Sequence, residues 1–97
     1  MKFEIAPTTS KLLSIIENRD FGADEVTDAQ AIYPILKEAV GTDLEKVCYN
    51  LFHFTSDSDL RVNDRYYRKF QEAELDKLIR LLKAGDMESA KKVSFLK

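Results

Sequence analysis

Residues 64–83, Asp-Arg-Tyr-Tyr-Arg-Lys-Phe-Gln-Glu-Ala-Glu-Leu-Asp-Lys-Leu-Ile-Arg-Leu-Leu-Lys, decide the fold class. At about 100° per residue, Tyr67, Phe70, Leu75, Leu78, Leu81 and Leu82 share one arc, the mark of an amphipathic helix. Asp64 stands where an N-cap carboxylate would accept the free amides of the first turn, so the pattern predicts a helix from about Arg65 to Lys83. Two polar residues intrude on the arc: Gln71 lies inside it and Glu74 near its centre. Each needs a hydrogen-bonding or charged partner if it is buried.

The segments upstream repeat the helical period. Leu44, Val47, Cys48, Leu51, Phe52 and Phe54 face one way, with Lys46, Tyr49, Asn50 and His53 on the other side. Thr42 followed by Glu45 reads as a capping box at the start of that helix, and Gly41 as the stop of the one before. In the preceding helix Ala29, Ile32, Tyr33, Ile35, Leu36, Ala39 and Val40 hold one phase on both sides of Pro34, which favours a kinked or closely stepped helix over a break. Thr27 or Asp28 is its expected cap. Residues 18–28 form a polar loop around Gly22, and Thr9 or Ser10 is expected to open a first helix that buries Leu12, Leu13, Ile15 and Ile16.

Between the helices, Ser56 and Asp57 suggest a cap for a single turn around Asp59 and Leu60. Downstream, Gly85 suits a left-handed helix stop and Asp86 the next cap, leading to a last helical segment that buries Met87, Ala90, Val93 and Leu96 and leaves Phe95 off its face. Before Pro7, Phe3 and Ile5 alternate with charged residues, as in a short extended arm. The expectation is therefore an all-α fold: one compact domain over residues 1–97, a four- or five-helix bundle with an extended N-terminal arm.

Composition agrees. The 97 residues are 44% hydrophobic and 33% charged, with three Gly and two Pro, which disfavours both disorder and a turn-rich β-sandwich. The formal charge is −2, but residues 1–49 hold five Lys or Arg against nine Asp or Glu, and residues 50–97 ten against eight. The resulting −4 and +2 make a mild polarity along the chain. The lone Cys48 cannot form an internal disulfide, and the absence of a signal-like or membrane-length apolar run makes the cytoplasm the expected compartment.

Chemistry-bearing side chains concentrate in residues 53–69, which include the only histidine. Arg61, Arg65, Arg68 and Lys69 interleave with Tyr66 and Tyr67. Tyr and Arg are the side chains that most often anchor protein interfaces, so Arg61, Arg65, Tyr66, Arg68, Lys69 and the polar-face His53 are the expected partner-binding residues. The same cations and rings could contact phosphates and stack on bases, which defines a nucleic-acid-associated regulator as the alternative. A third reading builds a small metal-dependent or acid-base enzyme from His53, Asp57, Asp59 and Glu74. No diagnostic spacing supports it, and Asp57-Ser-Asp59 lacks the glycine and terminal glutamate of an EF-hand loop. Glu74 reads better as a rim residue paired with a cation, and Cys48 as a small core residue. The expectation is a non-catalytic protein-binding or regulatory module without a cofactor, metal or membrane partner. Its apolar faces leave room for a homodimer, but no heptad specifies one.

Overall fold

A computed structural model describes residues 6–96. Helix α1 spans Pro7–Ile16, α2 Glu25–Ala39, α3 Asp43–Ser56, α4 Ser58–Asn63, α5 Arg65–Lys83 and α6 Met87–Ala90. The all-α expectation is met: among the described residues the bundle has four longer helices, α1, α2, α3 and α5, with α4 and α6 as short elements. The N-terminal arm lies outside the described residues.

Local chemistry sets the boundaries, in places differently from expectation. Helix α1 starts at Pro7 rather than at Thr9 or Ser10, because proline has no N–H to leave unsatisfied and its ring presets a helical φ in the first turn. Helix α2 starts earlier than Thr27 or Asp28 would place it. Asp24 is its cap, accepting the Val26 N–H at 3.1 Å and the Thr27 hydroxyl at 3.0 Å. Asp28 is instead buried, and its Oδ2 accepts the Gly22 N–H at 2.7 Å. Pro34 sits inside α2 without ending it.

Thr42 precedes α3 as expected, but it makes no capping box. Its hydroxyl turns back to donate to the Ala39 carbonyl at 2.6 Å, fastening the end of α2 to the start of α3. Asp64 caps α5 as expected, with Oδ1 accepting the amides of Tyr66 at 3.0 Å and Tyr67 at 3.1 Å. Asp86 likewise caps α6 through the Ser89 N–H at 3.1 Å.

Leu12, Ile16, Ile32, Ile35, Val47, Leu51, Phe54, Leu78 and Leu82 meet in one core. Full burial of such side chains contributes about 1.5–3 kcal/mol each before the entropy cost of ordering them. Helix α2 packs mainly on α3, α1 lies against α2 and α5, and α6 joins α5 to α3. The described chain measures 44 × 23 × 22 Å.

The C-terminal segment departs most from its sequence reading. The helix stops at Ala90, and beyond it burial alternates: Val93 and Phe95 are inside, Ser94 and Leu96 outside. A two-residue alternation replaces the helical period, exchanging the expected positions of Phe95 and Leu96. Asn50 holds this segment down, donating through Nδ2 to the carbonyls of Lys91 at 3.2 Å and Val93 at 3.0 Å, so it is not part of a wholly solvated α3 face. The Phe95 ring meets Phe54 edge-on at 5.2 Å between centroids, and Phe21 stacks on Phe54 at 5.4 Å. These two aromatic contacts bring the 17–24 connection and the C-terminal segment together at the end of α3.

Candidate partner-binding surface

The corner between α4 and α5 is assembled on a buried polar network. Arg61 is only 5% exposed. Its Nη1 donates to the carbonyl of Phe54 and, at 2.7 Å, to Oε1 of Gln71, while Nη2 donates to the Gly22 carbonyl at 3.0 Å. The guanidinium also lies over the Phe54 ring, 3.8 Å from its centroid. Gln71 is fully buried, and its Nε2 donates to Asp57 Oδ2 at 2.9 Å and to the Phe95 carbonyl at 3.0 Å. Tyr67 completes the group, its hydroxyl donating to the same Asp57 oxygen at 2.8 Å. Among the described residues no buried side-chain nitrogen or oxygen lacks a partner.

The electrostatics follow from these contacts. Burial lowers the pKa of Arg61, opposed chiefly by the charges of Asp57 and Asp28. The hydrogen bond to Asp57 raises the pKa of the Tyr67 phenol, with burial and the Asp57 charge adding to the rise. Burial also raises Asp28 above the ordinary carboxylate value, while its bond from Gly22 pulls the other way.

This network divides the expected partner-binding residues. Arg61 is withdrawn from the surface, since its head group is used to join the 17–24 connection, α3 and α5. Arg65, Tyr66, Arg68 and Lys69 remain exposed, as does His53 on the last turn of α3. Tyr66 is 72% exposed, with the Arg65 guanidinium 6.0 Å from its ring centroid. Two aliphatic residues absent from the expected set join them on α4: Leu60 is half exposed and Val62 is 82% exposed. An aliphatic residue within a polar stretch was the available signal, but a six-residue helix is too short for periodicity to assign its outer face.

A groove of about 380 Å³ runs beside this corner, lined by Phe21, Gly22, Ala23, Phe54, Ser58, Arg61, Val62, Arg68, Glu72 and Leu75. Glu72, its one lining carboxylate, lies 3.9 Å from Arg68 Nε. Such an exposed pair is weak and readily exchanged.

The residues of the enzyme reading are not brought together. Asp57 is engaged by Tyr67 and Gln71, Glu74 is a half-buried rim residue 3.9 Å from Lys77, and His53 is exposed on α3. Among the described residues no group of three or more His, Cys, Asp or Glu side chains could hold a metal ion. Cys48 is buried in the core, where desolvation pushes its thiol up to about 11. Among the described residues no helix is long and apolar enough to cross a membrane.

Compared with known protein families, curated proteins and solved structures, the chain matches none.

Proposed function

We propose that the protein is a non-catalytic, cytoplasmic binding module that regulates or inhibits a protein partner through the α4–α5 corner. One observation carries the reading: Leu60, Val62 and Tyr66 are exposed on α4 and the first turn of α5, Val62 lines one groove with Arg68, and Arg65 lies 6.0 Å from the Tyr66 ring centroid. Burying aliphatic and aromatic surface supplies affinity, and flanking cations supply orientation, which is the division of labour in protein interfaces. The Arg61 network beneath fixes both helices before a partner arrives and so reduces the ordering cost of association. His53 extends the polar rim.

The double substitution R65A/Y66A tests the reading. Affinity capture at low and moderate salt, using the wild-type protein and a refolding-competent R65A/Y66A variant, should retain a discrete protein partner only with the wild type. Equal retention by both proteins would sink the assignment of this corner.

One observation favours a nucleic-acid alternative. Arg65, Lys69 and Arg80 lie near one face of α5 and make no ion pair among the described residues. Binding of that kind should yield nucleic acid in the capture experiment and weaken steeply between low and moderate salt.

A further inference from the structure

We infer that the groove beside the corner binds an Asp or Glu side chain, flanked by an apolar residue, from a segment of the protein partner. The inference rests on the protein-binding reading and specifies the chemistry of the partner. It begins with the unused hydrogen-bonding capacity of Arg61. A guanidinium carries five N–H donors. Phe54, Gln71 and Gly22 occupy three, leaving Nε–H and one Nη2–H without an acceptor among the described residues. Neither nitrogen is among fully buried atoms without a partner, and the residue keeps a small exposed area. The groove is lined by Arg61 and provides the opening.

Arg61 is also a cation without an ion pair among the described residues, although it is almost wholly buried. Asp57, Asp28 and, more weakly, the groove's own Glu72 act on it through space, but none pairs with it: Asp57 receives Tyr67 and Gln71, Asp28 receives the Gly22 amide, and Glu72 lies beside Arg68. Buried charges ordinarily acquire a hydrogen-bonded counter-charge, and an incoming carboxylate would provide one at the groove floor. Arg68 supplies a second cation on the wall.

The remaining lining selects the context of that carboxylate. Phe21, Val62 and Leu75 form apolar sides, and highly exposed Val62 gains the most from being covered. The backbone amides of Gly22 and Ala23 already donate to Asp28 and to the Asp20 carbonyl. The donors left among the lining side chains are the two arginines and the Ser58 hydroxyl, an arrangement suited to a carboxylate side chain rather than to a chain terminus held by converging amides. Glu72 competes for Arg68 from within the groove, so binding exchanges that weak pair for a better-placed one.

The test is selection of a displayed random dodecapeptide library on the intact protein, followed by titration of the enriched peptides against Val62→Asp, Arg68→Ala and Glu72→Gln. All three substitutions are at exposed positions. Expected peptides carry Asp or Glu next to Leu, Ile or Phe. Their affinity should fall about fivefold or more with V62D and R68A and rise about threefold with E72Q, which frees Arg68. Acidic peptides indifferent to V62D and R68A would remove the groove from the inference. Neutral or basic peptides lost on R65A/Y66A would overturn the partner chemistry while leaving the corner as a protein-binding surface. Failure to enrich any peptide would also overturn the inference, with the corner then judged by its own capture experiment.

Discussion

Arg61 Nη1 donates to Gln71 Oε1 at 2.7 Å inside the protein, joining a buried cation on α4 to a buried amide on α5. The amide is bifunctional: its oxygen accepts from Arg61, while its nitrogen donates to Asp57 and to the Phe95 carbonyl. Glutamine can therefore stand between a cation and an anion without adding a charge. Neither Glu nor Lys could serve both sides.

Replacing Gln71 with leucine should destabilise the fold by about 3 kcal/mol, because Arg61 and Asp57 each lose a hydrogen-bonding partner while remaining buried or half-buried. Urea unfolding should show a lower midpoint with little change in slope. A loss below about 0.5 kcal/mol, within the range of an ordinary surface substitution, would mean that the network does not support the fold.

Tyr67 gives the network an alkaline limit. Its folded pKa is raised above the ordinary 10.0, so its contribution is fully present below that value and is lost as pH rises through the higher folded value. Stability curves for the wild type and Y67F should therefore converge above pH 10. At neutral pH, Y67F should cost about 1 kcal/mol for the missing hydrogen bond to Asp57. Parallel curves across the alkaline range would contradict this account.

Phe95 should behave as a core residue despite its position near the end of the sequence. F95A removes a buried ring packed edge-on against Phe54 and should cost about 3–5 kcal/mol. Leu96→Ala, at an exposed position, should be close to neutral. Paired thermal melts check the contrast, and similar losses at both positions would show that the segment does not pack as described.

Cys48 should be nearly inert in the folded protein. Its thiol is inaccessible and raised to about 11, leaving little thiolate at neutral pH. Reaction with a disulfide reagent at pH 7.5 should be slow in buffer and complete in concentrated urea. Rapid native labelling would reveal an opening of the α3 face.

Long elements were readable because their periods repeat. The arc from Tyr67 to Leu82 specified α5, and Asp64 marked its start. Gln71 inside that arc announced a polar contact, but not the identities of Arg61, Asp57 and Phe95, because those partners come together only when α3, α4 and the C-terminal segment pack against α5. Arg61 was the least readable residue of the candidate surface. In sequence it belongs with Arg65 and Arg68, whereas the turn of α4 directs it into the protein. Residues 93–96 misled for another reason: four residues are too few to distinguish a helical face from a two-residue alternation, and tertiary packing on Phe54 chose the alternation.

The bond from Gln71 to the Phe95 carbonyl also imposes an order on biosynthesis. The groove wall on α5 and the aromatic base beneath it acquire their full set of internal bonds only after Phe95 has left the ribosome. A nascent chain not yet extended through Phe95 lacks both the bond to Gln71 and the contact with Phe54 at this corner. Phe95 thus secures the corner twice, its ring against Phe54 on α3 and its carbonyl against Gln71 on α5.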